Sequence, residues 1–379
     1  MGSVRLLVLL AVTPHLVVAQ SSQFGVRGLG YPGREVATRA SGSSGAFGLF
    51  DPESSLNPAS IGATSTLTSV FTAVQSFRHL ENPGGSATLR DTRFPQLSIA
   101  GPVRQTGAAL GVSYSNYTSR DFTTVNGATV DLRGVPVGVV DTFSSRGGLS
   151  DFRVAGAYRL HDRWLFGGGF HVITGSNRLV STRLFNDPSY LSARQRAEVS
   201  YAGVGLSLGV VRQFGANFAV AGMARTDGHV NVDRDSIRVG TIDLPYSFGF
   251  GVRWRPTATL DLATQTIVRT WSGANSDLLQ QGGSGAKNTL EVAAGLEFVS
   301  DPKRPFRRPL RLGARYATLP FPLIPGEQGH EYGLSAGTGL RFAQQRAGVD
   351  LSLEHQWRSE GSAYSERAFT LSIGVSVRP

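Results

Sequence analysis

The feature that constrains this chain most is an alternation of apolar residues with small or polar ones, repeated in long segments. Near the end of the chain, every second residue from Phe369 to Val377 is apolar, and Thr, Ser or Gly stands between them. The same period of two runs from Tyr332 to Phe342 and from Ala347 to Trp357. Because successive side chains of a strand point to opposite faces, each segment predicts a β-strand with one apolar face.

The length of these segments indicates where the strands lie. Most have about 10 to 14 residues, whereas strands of soluble proteins usually have about five or six. A tilted strand needs about 9 to 11 residues to cross a bilayer. Lipid offers no hydrogen-bond partner to a free strand edge, so such a sheet closes on itself. The sequence therefore predicts an all-β protein, a transmembrane antiparallel β-barrel of about 14 strands over residues 67–379. A soluble, secreted all-β protein is the alternative.

The connections between the predicted strands alternate in length. One set is short, at residues 104–106, 161–163, 213–217, 255–257 and 343–346. The other set is longer and polar, at residues 120–148, 186–196, 272–287 and 320–329. Short turns at one end and long loops at the other are typical of bacterial outer-membrane barrels. Aromatic residues near strand ends are candidates for a membrane-interface belt, namely Tyr158, Trp164, Trp254, Trp271, Tyr316, Phe342 and Trp357.

The N-terminus has the composition of an export signal. Arg5 precedes an apolar run that ends near Ala19, where the small side chains suit a signal peptidase. We therefore predict a cleaved signal peptide over residues 1–19, export through it, and residence in the cell outer membrane. An uncleaved helical anchor is the alternative, which Pro14 and His15 disfavour because they interrupt the apolar run. The chain has no cysteine, which excludes a disulfide framework.

Composition and motifs argue against several other classes. The net charge of +10 comes almost wholly from arginines that are dispersed along the chain, so nucleic-acid binding is not predicted. Two GxSxG strings surround Ser207 and Ser335, but both serines lie within predicted strands rather than at a nucleophile elbow. The histidines lack the spacing of a zinc site. No cofactor, metal or enzyme activity is predicted, although a catalytic site at the barrel rim is a further alternative.

Residues 20–66 do not alternate. A run of small residues at 41–48 leads to Asp51, then to Asn57-Pro58-Ala59 and Ile61. This order resembles the N-terminal plug of the long-chain fatty acid transporter family, the FadL and TodX type, and of the related PorV and PorQ-like proteins. The resemblance implies a plug over residues 20–66, with Asp51, Asn57, Pro58 and Ala59 as its motif. Read from the residues alone, Pro58 and the Asx side chains predict a structural turn.

The resemblance also implies a function, namely passive uptake of hydrophobic, fatty-acid-like molecules through a plugged barrel. Two alternatives remain: a PorV-like or PorQ-like partner in protein secretion or surface attachment, and a general diffusion porin. The expected partners are outer-membrane lipid and lipopolysaccharide, a hydrophobic small-molecule ligand, and the barrel-assembly machinery during biogenesis.

A small set of polar residues is predicted to face the lumen. Asp261, Gln265 and Arg269 fall on one face of one strand, and Glu291 and Arg341 lie on the polar faces of two others. These side chains form either a ladder of opposite charges across the interior or a polar permeation path.

Overall fold

The structure is a computed structural model that describes residues 22–161, 163–280, 283–301 and 307–379. The signal peptide predicted over residues 1–19 lies outside these ranges. The described chain contains short helices at Gln23–Gly25, Thr38–Ser41 (α1), Pro58–Ala63, Trp271–Ala274 and Asn275–Gln280 (α2). The strands are β1 (Tyr31–Pro32), β2 (Thr68–Asn82), β3 (Gly85–Pro102), β4 (Ala108–Ser119), β5 (Phe122–Leu132), β6 (Val135–Leu160), β7 (Trp164–Phe185), β8 (Ala193–Phe214), β9 (Phe218–Thr226), β10 (His229–Arg234), β11 (Ile237–Asp243), β12 (Ser247–Trp254), β13 (Leu260–Arg269), β14 (Thr289–Phe298), β15 (Arg307–Thr318), β16 (His330–Phe342), β17 (Ala347–Glu360) and β18 (Tyr364–Val377).

Fourteen of these strands close into an antiparallel barrel, which confirms the predicted fold. The ring runs from β2 through β4, β6 to β9 and β12 to β18. It closes where β18 pairs with β2, and β9 pairs directly with β12. The other four strands are not part of the ring, and β1 belongs to the segment inside it. β5 forms a hairpin with the first half of β6, and β10 pairs with both β8 and β11.

One segment predicted as a polar loop is instead largely sheet, and a second is sheet only at its end. Residues 120–148 contain β5 and the first half of β6, joined by a tight turn at Arg133 and Gly134. Residues 193–196 belong to β8. The loop prediction was wrong here because the sheet continues beyond its apolar belt, where Thr, Asn, Asp and Arg residues interrupt the apolar alternation.

The outer surface of the ring carries a belt of exposed apolar side chains. Phe71, Leu97, Phe152, Leu208 and Phe369 are each at least 41% exposed. Inward positions of the same strands hold Gly, Ser and charged residues, as the alternation predicts. So much exposed apolar surface is unfavourable in water and suits the hydrocarbon core of a bilayer. Short turns gather at one end of the ring, which is the periplasmic end in barrels of this type.

Among the described residues, no helix is both long and apolar enough to cross a bilayer.

The predicted aromatic belt needs one correction. Trp254 and Phe342 are about half exposed beside short turns, where an interface residue is expected. Trp271 is instead 2% exposed and lies in the lumen. Its ring packs edge-on against Phe321, with centroids 5.1 Å apart, and also contacts Tyr117. The sequence could not distinguish these sites because Trp271 lies in a connection that folds back inside the barrel.

Residues 22–66 fill the lumen. Leu49, Phe50 and Leu56 pack against inward wall residues such as Leu165 and Ile267 in one buried cluster. A second apolar cluster closes the opposite half of the interior and includes Leu29, Leu149, Ile173, Val230, Ile242 and Phe321.

Glycines in the wall allow this segment to approach closely. A Cβ at Gly167 would overlap the backbone of Pro58 and Ala59, and one at Gly313 would overlap the backbone of Ser43. These contacts explain why inward positions are so often Gly.

Candidate functional site

The Asn57 motif organises the lumen segment internally. Asn57 is fully buried, and its side-chain amide donates to the Leu49 carbonyl at 2.9 Å. Its Oδ1 accepts from the Ala59 amide at 3.0 Å and caps the short helix that begins at Pro58. Asp51 accepts from the Ser54 hydroxyl at 2.8 Å in the same way. The motif residues therefore lie in turns of the segment, and their role as a plug motif stays a prediction.

Charged side chains fasten the segment to opposite walls. Arg34 donates to both carboxylate oxygens of Glu354 at 3.0 Å. Glu35 pairs with Arg225 at 2.7 Å, and Arg39 with Glu297 at 3.3 Å. The Glu297 carboxylate raises the pKa of Arg39 above its ordinary value, although burial opposes the shift. Such geometry makes the segment a docked plug rather than a loose tail.

Glu53 provides the anchor nearest the periplasmic end. Its carboxylate lies 3.3 Å from Arg341 and 3.1 Å from Arg378. Its backbone carbonyl accepts from the Gln96 amide at 2.7 Å. Burial, reinforced by the neighbouring Asp51, raises the pKa of Glu53, although Arg341 opposes this.

The structure places the five predicted lumen residues on the inward face of the wall. Asp261 accepts from Arg253 and Arg255 near the periplasmic end. Gln265 accepts from the Leu49 amide of the plug at 3.2 Å. The other predicted residues form ion pairs, between Arg269 and Glu291 at 3.5 Å and between Arg341 and Asp350 at 2.8 Å. Together these contacts form a ladder of opposite charges on the inner wall, to which the plug also binds. A role of the five residues in permeation stays a prediction.

The structure also brings together a Ser-His-Asp arrangement that the sequence reasoning missed. His171 Nδ1 lies 2.9 Å from Asp151, and its Nε2 lies 2.8 Å from the Ser207 hydroxyl. His171 and Asp151 are each 1% exposed, and Arg225 shares the Asp151 carboxylate at 2.8 Å. Ser207 lies within a regular strand, where neighbouring amides belong to the sheet. The three side chains are bonded to one another and to Arg225, so the triad is part of the polar packing of the lumen.

The wall itself has a break between β3 and β4. The two strands pair only from Gln96 with Ser115 to Pro102 with Ala109. Beyond this point, residues 85–93 pair with β2 alone. A bulge opposite Ala73 marks the change, at Pro95, which has no amide hydrogen to donate. Exposed Phe94 lies on β3 at the start of the break, and Phe77 is exposed on the neighbouring β2, so the gap opens at the apolar belt.

The plug covers the inner side of this gap. β1 pairs with the free edge of β4, Tyr31 opposite Ser119 and Pro32 opposite Thr118. The Gly33 amide extends the ladder by donating to the Tyr117 carbonyl at 2.8 Å. Residues 31–33 therefore pair with backbone groups of β4 that have no partner on β3. We name this segment the edge latch.

A cavity of about 440 Å³ lies beside the gap at the loop end of the barrel. Its lining combines the tip of the β2–β3 hairpin with β5 and the start of the plug. Apolar contributors include Val26, Leu80, Phe122 and Leu323. A second cavity of about 440 Å³ opens at the periplasmic end beneath Phe47, Phe50 and Asp51. The plug separates these two cavities.

Solved structures share this architecture. A FadL homologue from Pseudomonas aeruginosa has a TM-score of 0.65 at 12% identity, over 92% of this chain and 99% of that chain. The toluene transporter TodX of P. putida has a TM-score of 0.59 at 14% identity, over 92% and 99%. The monoaromatic hydrocarbon channel CymD has a TM-score of 0.55 at 15% identity, over 91% and 97%.

The chain has the FadL fold. The predicted structural likeness to FadL and TodX is confirmed at the level of the fold. No protein-family model matches the sequence, and no curated protein sequence does either. Within the described part of the FadL fold, no group of three or more potential metal ligands occurs.

Proposed function

We propose that this protein is an outer-membrane channel for passive uptake of hydrophobic small molecules, which leave the barrel sideways through its wall. The observation that carries the proposal is the β3–β4 gap within the apolar belt, closed from inside by the edge latch. The similarity in fold to a FadL homologue and to the toluene transporter TodX supports a hydrophobic substrate.

The arrangement of the lumen disfavours a general diffusion porin. An open porin needs a continuous aqueous channel. Here the plug is tied to opposite walls by ion pairs and fills the barrel between the two end cavities. An apolar solute, by contrast, gains free energy by leaving water for the adjacent hydrocarbon. No described feature specifically favours the alternative of a protein-secretion partner.

The proposed route has three steps. The solute first enters the cavity beside the β2–β3 hairpin, where Leu80 and Phe122 offer apolar contact. The edge latch then moves away from β4, which exposes the gap. The solute passes into the bilayer beside Phe94, and the latch pairs again with β4 and reseals the wall.

A disulfide across the edge latch tests this route. Pro32 and Thr118 are directly opposed, next to the hydrogen-bonded Gly33–Tyr117 pair. In an antiparallel sheet, opposed residues that do not hydrogen-bond to each other have Cα atoms about 4.5 Å apart, which a disulfide can span. The native chain has no cysteine, so a Pro32→Cys/Thr118→Cys variant contains one dithiol. We expect oxidation to abolish uptake of radiolabelled oleate by a Gram-negative host that lacks its own transporter, and reduction to restore it.

The matched control is an Asn231→Cys/Thr241→Cys pair, which joins β10 to β11 away from the gap. Oxidation of that pair should leave uptake unchanged. Equal oleate uptake by the oxidised and reduced latch variant, with the disulfide verified by mass spectrometry, would show that the gap is not the route.

A further inference from the structure

Four arginines form a cluster on the outer wall, above the apolar belt. They are Arg146 on β6, Arg178 on β7, and Arg194 and Arg196 on β8, and we name them the outer arginine cluster. They line a cavity of about 620 Å³ together with Glu198 and Asp235. This cavity lies outside the barrel and has no part in the route proposed above.

Among the described residues, the charge of the cluster is only partly balanced. In the described parts of the chain, none of the four guanidinium groups has a carboxylate within 4.0 Å or a hydrogen-bond partner. Arg146 and Arg178 are directly opposed across β6 and β7, an arrangement that is unfavourable for like charges. The lining holds four cationic and two anionic side chains. A bound anion would relieve this repulsion.

The side chains of the cluster point toward the membrane side of the wall. Arg146 is an even number of residues from Phe152, which is 47% exposed in the apolar belt, so both side chains point to the same face of β6. Arg178 and Val172 are related in the same way on β7. Arg196 likewise shares the parity of exposed Val204. The sheet is continuous between these levels, since neither the β6–β7 nor the β7–β8 register shifts. The cluster therefore faces what surrounds the barrel, not what passes through it.

The height of the cluster above the apolar belt indicates which part of the surrounding lipid it contacts. Phe152 lies opposite Val172 and Arg146 lies opposite Arg178, six residues further along each strand. At about 3.3 Å per residue the separation is roughly 20 Å along the strand. With a strand tilt of about 40°, Arg146 and Arg178 stand roughly 15 Å above these apolar side chains, and Arg194 and Arg196 stand higher. This is the level of lipid headgroups and, in an outer leaflet, of glycolipid saccharides.

We infer that the outer arginine cluster binds the sugar-linked phosphates of lipopolysaccharide in the adjacent leaflet. Guanidinium groups recognise phosphate through paired N–H donors, and neighbouring arginines can hold one or two phosphate groups together. The acyl chains of the same molecule would lie along the belt beneath, beside Phe152 and Val172. The lipid anchor supplies the high local concentration that a free phosphate lacks.

Binding of purified protein to defined glycolipids tests the inference. The variant Arg146→Gln/Arg178→Gln removes two charges from the cluster. The control Arg104→Gln/Arg133→Gln removes two exposed charges from turns elsewhere. A basic residue near an anionic surface contributes about 1 kcal/mol, so two should change affinity by at least tenfold. We expect the cluster variant to bind bisphosphorylated lipid A at least tenfold more weakly than wild type, and the control to bind normally.

Two further binding measurements show whether the phosphate that binds belongs to a lipid or is free in solution. Dephosphorylated lipid A with the same acyl chains should bind weakly to wild type, and inorganic tripolyphosphate should compete only at a much higher concentration than the lipid. Equal binding by wild type and cluster variant would overturn the inference, as would equal binding of the dephosphorylated lipid. Tripolyphosphate that binds as tightly as lipid A would overturn the assignment to a lipid. Unchanged heat-dependent migration in SDS gels verifies that each variant is folded.

Discussion

Replacement of Arg34 by Gln should loosen the plug. The native guanidinium contacts Glu354 at 3.0 Å and Glu291 at 4.0 Å, and its side chain is 17% exposed. Removing one partner of a buried ion pair costs about 3 to 5 kcal/mol. The lower end applies, because Glu354 keeps Arg315 at 3.9 Å and Glu291 keeps Arg269 at 3.5 Å. A loss of about 3 kcal/mol raises the population of undocked plug more than a hundredfold, since each 1.4 kcal/mol is a factor of ten.

Single-channel recording in planar bilayers measures this population as the fraction of time in a conducting state. We expect Arg34→Gln to conduct more than a hundredfold longer than wild type, until the fraction saturates. The exposed plug residue Arg27 provides the control, and Arg27→Gln should behave like wild type. A double-mutant cycle with Glu354→Gln isolates the pair itself. The Arg34–Glu354 pair does not hold the plug if Arg34→Gln conducts no more than Arg27→Gln, or if the coupling in the cycle is below about 0.5 kcal/mol.

Two further predictions concern the lumen. Ser207→Ala should leave oleate uptake unchanged, and the wild-type protein should not react with a fluorophosphonate; labelling that depends on Ser207 and His171 would instead reveal a nucleophile. Gly313→Ala should fold normally as a barrel but conduct without ligand, because the new Cβ overlaps the Ser43 backbone and prevents the plug from docking. If this variant conducts no more than wild type in planar bilayers, the plug does not approach Gly313 this closely.

The barrel was predictable because its signal is local. Side-chain direction alternates along any strand, so the run from Phe369 to Val377 reports its two faces without reference to the rest of the chain. The same logic placed Asp261, Gln265 and Glu291 on the inward face. It did not extend to residues 120–148, where the sheet continues outside the belt and polar residues interrupt the apolar alternation.

The partners of the inward residues were not predictable, because they come from distant parts of the chain. Arg34 meets Glu354, and His171 meets both Asp151 and Ser207, only once the ring has closed around the plug. The GxSxG motif around Ser207 did not by itself indicate the contact with His171, since the inward faces of the strands are rich in Gly and Ser. The proline at position 95 was a signal that could have located the break in the wall.

The sequence by itself determined the period of the strands and the small size of the inward residues, which together require a closed sheet with lipid outside. Only the tertiary structure decided where that sheet is incomplete, which plug segment covers the gap, and which arginines remain without a counter-charge. The physical reason is that strand periodicity is a property of neighbouring residues, whereas strand register and charge compensation are properties of the closed ring.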